Sequence, residues 1–466
     1  MTETKQNNGI PSVVLNAVNS LTKAGVPMHS LLVSKGSELI AEVYWKPYER
    51  ETLHRIYSCT KSFVSLAIGV LVGQEKISLD DPIVKYFPEM LSPTTPDEIK
   101  SMTIRNMLMM RTCFKSTTYK NGGKGNYIPS WQKDWVKSFF TTKPDHDPGM
   151  FFLYDTSSPH VMAALVEKLS GKDFVSFIKE TYLSDLCVSD NTYITKDPMN
   201  YPVGGSGLML RPIDILKTMD GVMHRSLKDV PTSYLDEATS KLSETSIVEC
   251  NENQKLGYGY QFWQMKDNTY GMLGLGGQYA IAFPDKDIVI VTTADTQADK
   301  SMDMAIFDSI WNIANNLDDK IVPVPSDLKI PVSRGKRSVE MEKKLNGKSF
   351  KFDEGNSIGL EEVSFSFNDD YGIVLIKQKS GEYEFKFGYG CNIANPFPIL
   401  QSSPCNVSGG FISDGSFALL VQFGHEEFGS FTMQAGFKDN SMSVIMHLYG
   451  ELSIDGFDGI AKGHLA

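Results

Sequence analysis

The sequence predicts a protein of the α/β (α+β) class, with an antiparallel sheet flanked by helices and a helical insertion, followed by an all-β domain. The stretch "SLLVSKGSELIAEVYW" at residues 30–45 reads as a β-hairpin, because two apolar strands surround a "KGSE" turn. Three strand patterns and an amphipathic helix follow one another at residues 258–317. From about Ser349 onward, short alternating strands separated by turn signals predict a small β-barrel or sandwich.

These patterns divide the chain into three parts. The length of 466 residues suffices for two or more domains, each with its own core. We expect one domain at residues 1–318, a linker at residues 319–348 and a β domain at residues 349–466. The linker prediction rests on the prolines and charges of "DDKIVPVPSDLKIPVSRGKRS".

Helices are predicted where apolar residues recur at helical spacing or follow a capping residue. The first covers about residues 11–24, and a strongly apolar helix follows Ser58. Ser157 and Ser158 are the candidate caps of a helix pair that Gly171 interrupts.

The remaining elements follow from caps, turns and alternating patterns. Thr103 is the expected N-cap of a short helix. The stretch from Cys113 to Pro148, rich in Lys, Gly and Thr, reads as a long loop, and "GGSGL" at residues 204–208 reads as a turn before another helix. Three consecutive strands are predicted at residues 258–265, 270–284 and 287–295.

Composition and charge exclude several classes of function. The formal net charge of -11 disfavours a nucleic-acid partner, because such affinity depends on Lys and Arg neutralising phosphates. No apolar stretch is long enough to span a bilayer and the first residues are polar, so we expect no membrane partner and a cytoplasmic location. The cysteines form no C-x-x-C pair and the histidines no H-E-x-x-H motif, so no metal and no cofactor are expected.

The stretch "YSCTK" places Ser58 three residues before Lys61, at the start of the apolar helix. A serine hydroxyl becomes a good nucleophile when a neighbouring base takes its proton. The i, i+3 spacing puts both side chains on one helix face, and both burial and the helix dipole favour the neutral form of a lysine there. The free N–H groups of a helix start can also stabilise negative charge on a bound carbonyl oxygen.

The bare S-x-x-K pattern is weak, and a structural alternative stays open. Ser58 could cap the helix while Lys61 extends to solvent. The pattern also occurs at five other places, Ser20/Lys23, Ser130/Lys133, Ser176/Lys179, Ser326/Lys329 and Ser333/Lys336. Only at Ser58 does a strand-like segment lead in and an apolar helix follow.

Several segments, in order along the chain, resemble the serine β-lactamase-related family, in particular its class C β-lactamase, D-aminopeptidase and carboxylesterase branch, which is similar to penicillin-binding proteins. The resemblance covers about residues 25–317 and implies a β-lactamase/transpeptidase-like fold. Its segments are "YSCTKSFVSLAIGVLVGQEKISLDDPIVKYFPEM", "TIRNMLMMRT", "PGMFFLYDTSSPHVMAALVEKLSG", "GGSGLMLRPIDILK", "GYGYQFWQ" and "GLGGQYAIAFPDKDIVIV".

The resemblance implies a role for each matched residue. Ser58 would be the acyl-forming nucleophile, Lys61 its proton partner, and Tyr154 a second general base or acid. The nearby cations would draw the Tyr154 phenol towards phenolate. Taken alone, Tyr154 could equally be a core or rim residue.

In the third motif, the backbone N–H groups of Ser58 and Gln278 would form the oxyanion hole. Gly276 and Gly277 would let the backbone approach a substrate closely. Taken alone, "GLGGQ" could equally be a β-bulge in an edge strand.

The sequence departs from the family pattern at two positions. Thr156 stands where β-lactamases have the asparagine that holds the substrate amide. Leu275 stands where they have lysine, and an apolar side chain cannot pair with a substrate carboxylate. We therefore expect a serine hydrolase for a small-molecule ester or amide, with true β-lactamase or carboxypeptidase activity disfavoured. The alternative is a catalytically weak binding or regulatory protein, and a homo-oligomer stays open.

Overall fold

The chain divides into two units, a larger one whose last segment ends at Ile330 and a smaller one that contains Pro331–Ala466 together with Gln297–Asp299. A computed structural model of the protein describes residues 9–119, 133–247, 252–396, 404–424, 426, 428–450 and 456–466. The division lies inside the segment predicted as a linker. Leu328 and Ile330, near the end of the larger unit, are buried, so this part of the predicted linker is folded.

Ten helices are described in the larger unit. They are α1 (Ser12–Ala24), α2 (Cys59–Gly73), α3 (Asp97–Ser101), α4 (Ile104–Leu108), α5 (Trp135–Thr141), α6 (Ser157–Ser170), α7 (Phe174–Glu180), α8 (Pro212–Met223), α9 (Thr232–Ala238) and α10 (Ser301–Asn316). Thr103 caps α4 as predicted, because its hydroxyl accepts a hydrogen bond from the Asn106 amide. Gly171 ends α6 in the left-handed conformation, as the interrupted helix pair predicted.

The strands described in this unit form one large sheet and two small ones. They are β1 (Ile10–Pro11), β2 (Met28–Lys35), β3 (Glu38–Tyr44), β4 (His54–Arg55), β5 (Tyr193–Ile194), β6 (Leu208–Leu210), β7 (Trp263–Gln264), β8 (Tyr270–Gly274), β9 (Gln278–Phe283), β10 (Ile288–Ala294) and β11 (Ile321–Val322). The large sheet is antiparallel, with the strand order β3-β2-β10-β9-β8-β7. The predicted hairpin of residues 30–45 is the pair β2–β3.

Helix α2 forms the centre of the core. Its residues from Cys59 to Leu71 are all buried, which is expected for a helix that is apolar on every side. It packs against α6, α9, β8 and β9, so its first turn is fixed between the large sheet and the helices.

Three predicted elements differ from the structure. The stretch 270–284 is two strands, β8 and β9, because Gly276 and Gly277 adopt positive φ and turn the chain. The predicted strand at 258–265 keeps regular pairing only at Trp263 and Gln264. The predicted loop from Cys113 to Pro148 contains α5, which Asp134 caps and which buries Phe139.

The cap of α6 also differs from the prediction. Ser157 and Ser158 lie inside the helix, and the carboxylate of the preceding Asp155 accepts hydrogen bonds from their two amides, at 2.8 and 2.9 Å. The two oxygen atoms of one carboxyl group can each accept from a different free N–H group at the start of a helix.

The smaller unit is a barrel-like β domain, which the alternating pattern predicted in outline. Its described elements are α11 (Val339–Leu345), β12 (Ser349–Phe352), β13 (Leu360–Phe367), β14 (Tyr371–Gln378), β15 (Gly381–Gly388), β16 (Ile393–Pro396), β17 (Pro404–Phe411), β18 (Phe417–Gly424), β19 (Phe428–Lys438), β20 (Ser441–Gly450) and β21 (Gly459–Leu465). The order β15-β14-β13-β12-β21-β20-β19-β18-β17-β16 closes on itself through a parallel contact between Gly388 and Ser408. Burial alternates along β14 and β20, so one side of each strand faces an apolar interior.

Across the described residues of both units, no helix has the length and apolar character needed to cross a membrane.

Candidate active site

The first turn of α2 brings Ser58 and Lys61 together. Ser58 occupies the N-cap position, but its side chain makes no capping hydrogen bond. Lys61 is buried, with only 1% of its surface exposed, and its Nζ donates to Ser58 Oγ over 3.0 Å. The structural alternative of a capping serine and a lysine that extends to solvent therefore does not describe this pair.

The glycine-rich turn before β6 supplies a second acceptor for the lysine. Lys61 Nζ donates to the Gly205 carbonyl oxygen over 2.7 Å. A Cβ at position 205 would clash with the methyl group of Thr156, so glycine is required there. From β4, Arg55 Nε donates to the Ser206 carbonyl oxygen over 2.9 Å and holds the same turn. The Gly205 carbonyl group thus orients Lys61, and Arg55 fixes the turn that carries this carbonyl group.

Tyr154 completes a group of three side chains. Its hydroxyl interacts with the Ser58 side chain, which lowers the tyrosine pKa, and Lys61 Nζ lies 5.0 Å from the centroid of its ring. The neighbouring Asp155 is fully buried, and its side chain accepts a hydrogen bond from the Ser157 amide at the start of α6. The structure therefore brings together the three residues that the sequence analysis assigned to proton transfer and nucleophilic attack.

The protonation state of Tyr154 differs from the expected phenolate. Burial raises the pKa of the Tyr154 hydroxyl above its ordinary value, and the hydrogen bond with Ser58 lowers it by a smaller amount. Desolvation penalises the charged form, and that penalty outweighs the favourable hydrogen bond with Ser58. The tyrosine therefore carries its proton near neutral pH.

The turn between β8 and β9 lies against the start of α2. The Cys59 thiol donates to the Gln278 carbonyl oxygen over 3.1 Å. Gly274, at the end of β8, lies so close to the Ile56 carbonyl oxygen that a Cβ would be 2.5 Å from it. These two contacts, one on each side of the turn, place the third motif beside the segment that carries Ser58.

Leu275 is the exposed residue of this turn, and Gly276, Gly277 and Gln278 beside it are buried. Gly276 and Gly277 have φ angles of 79° and 92°, which favour glycine. The Gln278 side chain turns inward, since its Nε2 donates to the carbonyl oxygens of Leu275 and Ala294 at 3.1 and 2.7 Å. Leu275 is 38% exposed. The segment is a hairpin turn inside the sheet, so the alternative of a bulge in an edge strand does not hold.

Three residues of the site were not identified from the sequence. Gly205 and Arg55 orient Lys61, and Trp263 stacks on the Tyr154 ring at 5.6 Å between ring centroids and 23° between planes. The sequence carried a signal for Gly205 in "GGSGL", which predicted a turn but gave no partner for its carbonyl group. Among the described residues, no group of three or more His, Cys, Asp or Glu side chains converges to hold a metal ion.

Comparisons with known proteins identify the family of the chain. A sequence model of the Beta-lactamase family matches residues 14–313. The 6-aminohexanoate-dimer hydrolase of Paenarthrobacter ureafaciens is 20% identical over 285 residues, which cover 56% of this chain and 71% of that protein. A beta-lactamase of Escherichia coli (strain K12) is 25% identical over 241 residues, which cover 49% of this chain and 58% of that protein.

Solved structures show the same fold. The octameric penicillin-binding protein homologue from Pyrococcus abyssi aligns with a TM-score of 0.55 at 17% identity, over 97% of this chain and 99% of that one. EstCE1, a hydrolase with promiscuous acyltransferase activity, aligns with a TM-score of 0.54 at 16% identity, over 64% of this chain and 99% of that one. The similar proteins support a serine hydrolase activity in general. With a family match over well more than half of its length, the chain belongs to the Beta-lactamase family.

Proposed function

We propose that this protein hydrolyses a small-molecule ester or amide through a covalent acyl-enzyme on Ser58. The observation that carries the proposal is the contact between Ser58 Oγ and Lys61 Nζ, 3.0 Å apart, with the lysine buried. A buried amine beside a partly exposed hydroxyl is the arrangement that activates a serine nucleophile.

The proton route follows from the two neighbours of Ser58. Ser58 Oγ attacks the substrate carbonyl carbon, and its proton passes to the neutral form of Lys61. When the bond from carbon to the leaving oxygen or nitrogen breaks, the leaving group takes a proton from the pair of Lys61 and Tyr154. The raised pKa keeps the Tyr154 hydroxyl protonated near neutral pH, so it is present in the form that can donate a proton. Water then attacks the acyl-enzyme, loses a proton to the same pair, and the acid product leaves while Ser58 regains its proton.

The oxyanion site that fits this route consists of the Ser58 and Gln278 amides. In extended backbone, the N–H and C=O of one residue face the same neighbour. The Gln278 carbonyl faces Cys59 at the start of α2, so the Gln278 N–H is directed towards the same region. Two backbone donors aimed at one oxygen are typical of sites that stabilise a tetrahedral intermediate.

The substrate class follows from Leu275, which presents an exposed apolar side chain where a β-lactamase has a cation. Such a side chain gives a carboxylate no partner, and leaving a charge unpaired beside apolar surface costs free energy. We therefore propose an uncharged ester or small amide over a β-lactam or a peptide carboxylate.

The proposal is tested by labelling with a fluorophosphonate and by p-nitrophenyl ester turnover. We expect intact-protein mass spectrometry to show one adduct on Ser58, and Ser58→Ala to lose both the adduct and the turnover. Ser176→Ala is the matched control, because Ser176 also lies three residues before a lysine, but on α7, where Lys179 Nζ donates to the Ser189 carbonyl oxygen. This variant should form the fluorophosphonate adduct and hydrolyse the p-nitrophenyl ester like the unmodified protein.

Failure to form an adduct, with no ester turnover over a broad pH range, would instead favour the alternative of a binding or regulatory protein. Rapid turnover of a chromogenic cephalosporin would contradict the proposed preference for uncharged substrates.

A further inference from the structure

Tyr154 belongs to an irregular backbone segment, so neither a helix nor a strand fixes the position of its ring. Residues 151–155 belong to no regular element. The backbone here is held by the hydrogen bond from the Leu153 amide to the Met110 carbonyl oxygen, at 2.9 Å, and by a weak one from the Asp155 amide to Met110 Sδ, at 3.4 Å. The χ2 angle of a tyrosine has a broad energy profile, so packing decides the plane of its ring.

Trp263 provides a rigid surface for that ring. Its indole stacks on Tyr154, with 5.6 Å between ring centroids and 23° between planes. Trp263 lies on β7 opposite Gly271 and is only 4% exposed. Its ring is packed edge to face against Tyr258 at 4.8 Å and against Phe152 at 5.8 Å. An indole held by these two rings is a firm surface for the tyrosine ring, and it stacks on that ring more closely than Tyr258 or Phe152, whose centroids are both 6.4 Å from it.

Resting on the proposed function, we infer that Trp263 is a positioning residue, which aims the Tyr154 hydroxyl at Ser58 by stacking on its ring. The Lys61 ammonium also contacts the tyrosine ring, with its Nζ 5.0 Å from the centroid. The lysine carries out proton transfer and is attached by a flexible side chain, so it is less suited to fix the ring than the buried indole.

The inference predicts a kinetic effect rather than a binding effect. Trp263 is almost fully buried and offers a substrate little surface, so its loss should leave KM nearly unchanged. A misplacement of a proton-transfer group by about 1 Å can lower the rate on the order of 100-fold. Trp263→Leu keeps an apolar side chain but removes the flat ring, and we expect kcat to fall about 10- to 100-fold on this basis. Trp263→Phe keeps a ring that can stack, and its kcat should stay within about threefold.

Trp311→Leu is the matched control, because Trp311 is 5% exposed in the same unit and packs on Phe307 and Phe283 within α10 and the sheet. The kcat and KM for a p-nitrophenyl ester and the Tm are measured for all variants. We expect Trp311→Leu to lower the Tm as Trp263→Leu does, with kcat retained. A kcat loss in Trp311→Leu equal to that in Trp263→Leu, or no rescue by Trp263→Phe, would overturn the inference.

A double-mutant cycle with Tyr154→Phe separates this inference from the proposed function. If Trp263 acts through the Tyr154 hydroxyl, Trp263→Leu should lower kcat no further in the Tyr154→Phe protein. Additive losses would overturn the role of Trp263 while leaving the proposed mechanism intact. Full activity of Tyr154→Phe or of Ser58→Ala would contradict the proposed function itself.

Discussion

Leu275 is the residue at which the proposed preference for uncharged substrates can be tested. It is 38% exposed on the turn that lies against Ile56 and Cys59. Its neighbours in the turn are two glycines, and Gln278 points inward. The side chain at position 275 is therefore the part of the turn that meets solvent or substrate.

Leu275→Lys should raise the relative activity towards esters that carry a carboxylate on the acyl side. An exposed ion pair contributes about 0.2–1 kcal/mol, which corresponds to up to about a fivefold change. The measurement is the ratio of kcat/KM for a carboxylate-bearing ester and its neutral methyl ester, and the gain should shrink at high salt. Leu275→Met is the control that should leave the ratio unchanged. If Leu275→Lys and the unmodified protein have the same ratio, position 275 does not contact the bound substrate.

Among individual residues, those that belong to short motifs could be identified from the sequence. Ser58, Lys61, Tyr154 and Gln278 each lie in a segment with a recognisable pattern, and the structure places these segments together. Their roles stay predictions. Gly205 and Trp263 could not be identified in the same way, because their importance depends on which distant side chain each one meets.

The turn between β8 and β9 shows how an element can fix the site. Gly274 lies against the Ile56 carbonyl oxygen, and Gly277 against Ala294 and Ile306, whose nearest atoms would both be 3.0 Å from a Cβ. The turn thus lies between the start of α2 and the core behind β10. Glycine is required at position 274 because the backbone there approaches the backbone of Ile56 closely, and less because the chain turns.

Gly274→Ala should reduce ester turnover about tenfold or more, because a Cβ 2.5 Å from the Ile56 carbonyl oxygen must push the turn away from Ser58. Overpacking of this kind also destabilises by about 1–3 kcal/mol. Gly436→Ala is the matched control, since Gly436 lies in a strand and a Cβ there would meet nothing within 4 Å. Turnover and urea denaturation of both variants check the prediction. Normal turnover in Gly274→Ala would show that the turn can move without affecting the chemistry.

Elements with a strong local pattern of apolar residues could be predicted. Elements that depend on contacts between distant parts of the chain could not. The hairpin of β2 and β3 follows from two apolar stretches around a turn, and helix α2 follows from a continuous apolar run. Helix α5 was missed because its segment is short and surrounded by Lys, Gly and Thr. The closure of the C-terminal sheet depends on a parallel contact between β15 and β17, which no local pattern encodes.

At the scale of the whole molecule, two buried histidines link the stability of the larger unit to pH. His29 on β2 and His54 on β4 are 2% and 1% exposed, and the ring nitrogens Nδ1 of His29 and Nε2 of His54 are 3.0 Å apart. Tyr48 stacks on His29 with 3.8 Å between ring centroids. Burial lowers the pKa of His54 to about 3, and burial together with the neighbouring His54 lowers the pKa of His29. Both rings are therefore neutral in the folded protein.

Stability should fall as the pH drops below about 6.5, the ordinary pKa of an unfolded histidine, and the contribution of His54 should continue to fall until about pH 3. In this range the unfolded chain binds protons that the folded chain excludes, so the free energy of unfolding decreases with falling pH. The loss between pH 7 and pH 4 is on the order of 3 kcal/mol for His54. Urea denaturation followed by circular dichroism at several pH values measures it.

His54→Gln removes the titrating ring and should flatten this pH dependence, at a cost of about 1–3 kcal/mol at pH 8 for the disturbed hydrogen bond. His224→Gln is the contrasting control. Burial alone would lower the pKa of His224, but its hydrogen bond with Asp287 and the charge of Asp220 raise it overall. Protonation of His224 therefore favours the folded state as the pH falls from its raised pKa to about 6.5, and its replacement should remove this gain while leaving the slope below about pH 6 unchanged. An unchanged slope in His54→Gln would mean that other groups account for the acid sensitivity, and the buried histidine pair would then have no part in it.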